Sequence, residues 1–191
     1  GHRKYPLGSR DPQVCGRGME SMQKARQLAD DLGVRIIQLA GYDVYYEESS
    51  LETKKRFLTN LKKAVNMAER TGVLLGFETM ENEFMNTVEK AMKYTTLVDS
   101  PYLNVYPDIG NITNAAIEYK NDVLEDMMIG KGHLCAMHLK ETVPGKFREI
   151  PFGTGHVNFK EAIALAWQLG IRKYVTEFWY VGNENWKEDL V

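Results

Sequence analysis

The sequence predicts an α/β protein of the (β/α)8 TIM-barrel type, and three observations carry that prediction. Strand-like segments alternate with helical patterns along all 191 residues, an order that implies a parallel sheet with helices outside it. Four of the strand segments end on a potential metal ligand: VLLGFE (73–78), LNVYPD (103–108), LCAMH (134–138) and YVTE (174–177). The intervals between those ligands are 108 − 78 = 30, 138 − 108 = 30 and 177 − 138 = 39 residues, and about 30 residues is one strand with its crossover helix. An open doubly wound sheet would instead place a glycine-rich phosphate loop after an early strand, whereas Leu39-Ala40-Gly41-Tyr42-Asp43 holds one glycine.

The first helix is expected over Gly18–Leu32, where Met19, Met22, Ala25, Leu28, Ala29 and Leu32 recur at three- and four-residue steps and define one apolar face. Gly33 stops it. Val34–Ala40 reads as a strand, and Gly41–Glu48 as a loop rich in tyrosine and acid. A long helix follows over Leu51–Arg70, with Phe57, Leu58, Leu61, Val65 and Ala68 inward and Gly72 as its stop. Further strand–helix pairs are expected at 73–78 with 87–97, 103–107 with 115–128, and 133–139 with 159–169. Asn158 and Glu161 match a capping box at the start of that last helix. Strand 173–178 and the beginning of a helix at 183–190 complete the pattern.

Five strands cannot close an eight-stranded barrel, which needs roughly 250 residues. The expectation is therefore one domain, 1–191, forming an incomplete barrel. About two strand–helix units would precede Gly1, one strand would follow Val191, and Gly1–Pro12 would be the loop after the last absent strand. Two open sheet edges would recruit partners, so a homodimer is expected unless other segments cover them.

Composition narrows the functional classes. The net charge of −2 and the scattered basic residues lack the electrostatic footprint of a nucleic-acid binder. No apolar run reaches membrane-span length, and the opening Gly1-His2-Arg3-Lys4-Tyr5-Pro6 lacks the apolar core of a signal peptide. Cys15 and Cys135 are far apart and form neither a disulfide framework nor a zinc knuckle. A cytoplasmic protein with reduced thiols and no nucleic-acid or membrane partner is expected.

In a parallel barrel, successive strand ends share the face where active sites lie. Glu78, Asp108, His138 and Glu177 would then converge, and three carboxylates with one imidazole suit one divalent ion, Zn²⁺, Mn²⁺, Mg²⁺ or Co²⁺. A strand-end acid alone is often merely paired, and His138 alone could be a core histidine; four at the same phase of consecutive units argue for a site. Such an ion polarises a ketone and stabilises the enediolate left when a neighbouring C–H is deprotonated. Glu78 and Glu177 are the candidate acid–base pair; on opposite faces of the carbon they would invert it, an epimerisation. Weaker candidates for substrate contact are His2, Arg3, Gln38, Glu141, Arg148 and His156, with Lys140 and Lys146 flanking the same loop; for each, a solvated or backbone-bonded role is the plain alternative.

The segments GFETMEN (76–82), YPDIGN (106–111), CAMHLKET (135–142), PFGTGHVNF (151–159) and VTEFW (175–179), with the opening GHRKYPLGS, resemble the L-ribulose-5-phosphate (L-xylulose-5-phosphate) 3-epimerases of the xylose-isomerase-like barrel superfamily. The resemblance implies one divalent metal, zinc first, at Glu78, Asp108, His138 and Glu177. It also implies Glu78 and Glu177 as acid and base, a ketopentose 5-phosphate as substrate, and a place in bacterial ascorbate or pentose utilisation. Related ketose epimerases carry a histidine three residues after the metal-binding aspartate; here Asn111 holds that place and is the substrate-binding candidate there. An aldose–ketose isomerase with a related site and an endonuclease of the same superfamily with three zinc ions are the alternatives, and a binder without activity is the third.

Overall fold

A computed structural model of the chain describes residues 3–182, 184, 186 and 187. Helix α1 (Pro12–Asp31) leads into strand β1 (Ile36–Ala40), α2 (Leu51–Glu69), β2 (Leu74–Glu78) and α3 (Val88–Val98). Then come β3 (Leu103–Tyr106), α4 (Ile109–Tyr119), α5 (Val123–Ile129), β4 (Met137–Leu139), α6 (Phe159–Gln168) and β5 (Tyr174–Thr176). β1, β2 and β3 pair in parallel, as do β4 and β5. Parallel bridges Val105–Leu134 and Asp108–His138 join the two groups. The strands therefore lie in chain order in one parallel array, a partial set of those in a (β/α)8 barrel.

Local chemistry accounts for the helix limits. Asp11 accepts from the Gln13 N–H and Pro12 occupies the first turn, so α1 starts six residues before the expected Gly18; its first turn is largely exposed and leaves no apolar period to read. Ser50 and Thr53 form a reciprocal capping box on α2, and Thr87 caps α3. The single helix expected over 115–128 is two helices. Lys120 takes a left-handed conformation (φ 56°) that closes α4, and the Asp122 carboxylate accepts from Leu124 and Glu125 to open α5. Strand 133–139 is regular only at 137–139, because 134–136 pairs irregularly with β3 through the Cys135 N–H and Val105 carbonyl. The helix expected at 183–190 falls largely outside the described residues.

Alternation along the strands separates two layers, since side chains at i and i+2 share a face. Leu75, Phe77, Leu103, Val105 and Met137 are fully buried within a core that includes Phe57, Leu61, Ala64, Val88, Met127, Ala162 and Ala166 from the helices. Phe57 meets Phe77, Phe84 and Tyr94 at ring separations of 5.2–6.0 Å. The opposite face carries Gln38, Gly76, Glu78, Tyr106 and His138. Gly76 has no room for a side chain: a Cβ there would stand 2.7 Å from Cys135 Sγ and 3.2 Å from Tyr106 Cβ.

Candidate metal centre

The strand register aligns Glu78 with Ala40 on one side and Tyr106 on the other. Two residues beyond β3, Asp108 donates its N–H to Thr79 Oγ1 (2.9 Å) and its Oδ1 accepts from Asn111 N–H (2.9 Å). His138 is fixed by its N–H to the Pro107 carbonyl (2.9 Å), and Glu177 by its N–H to the Leu139 carbonyl (2.9 Å). The consequence is convergence: one ligand atom each from Glu78, Asp108, His138 and Glu177 lies within 4.8 Å of the others.

His138 Nδ1 lies 3.0 Å from Glu78 Oε1, 2.9 Å from Glu177 Oε2 and 3.7 Å from Asp108 Oδ2. Burial disfavours the charged ring, but hydrogen bonding to Asp108, Glu177 and Glu78 outweighs it and pushes the imidazole up to about 12. Glu177 shifts the other way: burial raises it, while His138 and Lys140 pull it below the ordinary carboxylate range. Tyr106 packs its ring 4.7 Å from that of His138.

Lys140, two residues beyond His138 and therefore on the same strand face, is buried with Nζ 2.7 Å from Asp108 Oδ2 and 3.8 Å from Glu177 Oε1. Asp108 Oδ2 is fully buried, with the Lys140 ammonium at 2.7 Å and His138 Nδ1 at 3.7 Å as its charged neighbours. A buried carboxylate persists only with such compensation, and this oxygen points into the ring of ligand atoms. The residues therefore fit a divalent cation with oxygen and nitrogen ligands.

The other expected contact residues spread around this centre. Gln38 donates Nε2–H to Glu78 Oε2 at 2.5 Å, so its amide meets the glutamate. Asn111 donates Nδ2–H to the Thr79 carbonyl (2.8 Å) while its buried Oδ1 has no partner. The Glu141 carboxylate accepts from the backbone of Thr142, Gly153 and Val157 and so ties the loop 151–158 to the end of β4. A Cβ on Gly155 would stand 2.1 Å from the Thr142 carbonyl and 2.3 Å from Glu141 Oε1, which is why that loop needs glycine there. His156 Nε2 meets Thr142 Oγ1 at 2.9 Å; burial, opposed in part by Glu141, lowers its pKa. Arg148 pairs with Glu81 at 2.5 Å and stacks over Trp179, bridging three loops on the face that holds the cluster. Arg3 lies over the Tyr45 ring at 4.9 Å, and His2 lies outside the described residues.

Sequence reading underweighted Lys140, Thr79 and Tyr42. The period-two relation to His138 was the available signal for Lys140. Thr79 follows a ligand directly, but its role depends on the neighbouring strand. The buried Tyr42 hydroxyl has no hydrogen-bond partner, and burial pushes it up to about 12.

Comparison with known proteins bears on the fold. The family model described as the xylose isomerase-like TIM barrel matches residues 1–190. Among curated proteins, L-ribulose-5-phosphate 3-epimerase UlaE of Escherichia coli O17:K52:H18 is 45% identical over 179 residues, covering 93% of this chain and 62% of that protein. The protein of the same name from Salmonella paratyphi C is 44% identical over 185 residues, covering 96% of this chain and 64% of its own length. The chain thus spans less than two thirds of the curated relatives it matches. Among solved structures, a D-tagatose 3-epimerase-like protein superposes with a TM-score of 0.81 at 19% identity, over 100% of this chain and 74% of that one. An L-ribulose 3-epimerase superposes with a TM-score of 0.77 at 20% identity, over 98% and 63%; at such identities these two speak to the fold.

Proposed function

We propose, from the premise that this chain belongs to the xylose isomerase-like TIM barrel family, that it is the greater part of a metal-dependent isomerase that inverts C3 of a ketopentose 5-phosphate. The observation that carries this reading is the meeting of Glu78, Asp108, His138 and Glu177 within 4.8 Å. The substrate class is supported by the name that relatives at 44–45% identity bear. Residues 1–191 would form one domain with segments beyond those described, as the greater length of the relatives suggests.

Glu78, Asp108, His138 and Glu177 would hold one divalent ion, zinc first, which when bound supplies a Lewis acid for the substrate carbonyl. The chain's own residues do the rest. Glu78 and Glu177 enter from strands on either side of His138 and are the two groups able to take the C3 proton on one face and return one on the other. Gln38 holds Glu78 Oε2 and so fixes which oxygen faces the substrate. Asp108, anchored at the start of α4, serves as a fixed ligand. His2, Arg3, Asn111, Arg148 and His156 are the candidates for contacts to hydroxyl and phosphate groups, and Glu141 contributes by holding loop 151–158 in place. A cytoplasmic homodimer acting in pentose or ascorbate utilisation completes the proposal.

The test is twofold. Metal analysis of the intact protein should give one ion per chain, which three-ion nuclease chemistry would not. Incubation with L-ribulose 5-phosphate or L-xylulose 5-phosphate in D₂O should place deuterium at C3, seen by NMR, with both epimers appearing. Metal-loaded protein that leaves C3 protonated with both sugars, or that exchanges C1 instead, refutes the reading.

A further inference from the structure

We infer that Lys140 is a resident counter-ion of the carboxylate cluster, which keeps the ion-free site intact and weakens its hold on a divalent ion so that the ion stays exchangeable. This rests on the metal-centre reading above, and it concerns a residue that the proposed chemistry does not use. Lys140 is 5% exposed. Its Nζ lies 2.7 Å from Asp108 Oδ2 and 3.8 Å from Glu177 Oε1. A buried ammonium persists only when paired, and both of its partners belong to the ligand set.

The formal charges give the inference its sign. Glu78, Asp108 and Glu177 contribute −3 and Lys140 adds +1. Whatever proton His138 carries, loss of the lysine charge leaves the site one unit more negative, both when empty of an ion and when filled. Removing the ammonium should therefore weaken the ion-free protein, because Asp108 loses its neighbouring cation, and should tighten ion binding, because a positive charge within a few ångströms of the incoming ion is gone. A lysine that merely aims Asp108 would give a different pattern: its loss would lower both quantities together.

The experiment uses full-length protein stripped by chelator. Lys140→Met, Lys140→Gln and Lys140→Arg are compared with wild type by ion-free melting temperature and by Mn²⁺ and Zn²⁺ dissociation constants from competition with a chromophoric chelator. Lys140→Gln can still hydrogen-bond Asp108 without the charge and serves if Lys140→Met does not fold. The expected result is a lower ion-free melting temperature and an ion affinity raised by about tenfold or more in the uncharged variants, as a like charge at short range predicts, with Lys140→Arg close to wild type. Weaker ion binding in Lys140→Gln, or an unchanged ion-free melting temperature, overturns the inference. If wild type binds neither ion, the metal-centre reading fails by itself. The counter-ion role is then decided by melting alone: Asp108→Asn should restore stability to Lys140→Gln, and failure to do so overturns it.

Discussion

Binding of an ion to Glu78, Asp108, His138 and Glu177 should release one proton, and its affinity should rise tenfold per pH unit. The perturbation is pH, and the structure supplies the magnitude. His138 Nδ1 sits 3.0 Å from Glu78 Oε1 and 2.9 Å from Glu177 Oε2, and the carboxylates push the ring up to about 12 despite its burial. The ring is therefore protonated across the range where proteins are assayed, and the same nitrogen faces the other ligands. An ion can reach it only by displacing that proton. One proton per ion makes the dissociation constant fall about tenfold per unit, or about 100-fold from about pH 6 to about pH 8, since a unit is worth about 1.36 kcal/mol. Titration calorimetry in buffers of different ionisation enthalpy counts the proton directly. His138→Gln should bind weakly with no such slope. A wild-type affinity independent of pH would show that the ring is neutral or not a ligand. The sign for stability is opposite. Because the folded value lies above the unfolded one, the His138 contribution to ion-free stability is full below about 6.5 and is lost as pH rises toward about 12. Chelated protein should accordingly melt at lower temperature as pH is raised through that window, in a scanning-calorimetry series.

Three further outcomes follow from the same geometry. Glu78→Gln and Glu177→Gln should each lower the rate of C3 deuterium exchange by about 10² to 10⁴, the range for a positioned acid or base, checked by NMR on metal-loaded protein. Gly110→Ala would place a Cβ 2.7 Å from both the Lys140 carbonyl and Thr142 Cγ2; it should cost about 1–3 kcal/mol by overpacking in a urea titration and should displace Asp108, lowering ion affinity in parallel. Leu61→Ala removes a side chain with no exposed surface from α2, a helix that carries none of the ligands, and should lose about 2–5 kcal/mol while the ion dissociation constant stays unchanged.

Much of this architecture was legible in the sequence. The ligand spacing near thirty residues exposed the strand–helix unit, and the strand-end position of Glu78, Asp108, His138 and Glu177 gave the cluster, because a parallel array leaves those ends little freedom to diverge. Helix stops at Gly33 and Gly72 were legible for the same local reason. The break between α4 and α5 was not: Lys120 adopts a left-handed turn that lysine seldom takes, and no glycine or proline marks it. Lys140 was hidden by its type, since lysine is ordinarily solvated, although its two-residue distance from His138 set its face. Glu141 was legible only as a polar residue beyond His138, a candidate for substrate contact or for solvent. Its hold on Gly153 and Val157 depends on a tertiary fold-back that no local pattern encodes.

Asp108 divides its two oxygens between separate tasks. Oδ1 starts α4 by accepting the Asn111 N–H, and Oδ2 faces the cluster. Nucleation of a secondary-structure element and aim of a reactive group thus share one carboxyl plane. Rotating that plane to suit a different cation would unseat the helix, so the site resists gradual retuning at this position and must adapt through Glu78, Glu177 or their neighbours instead.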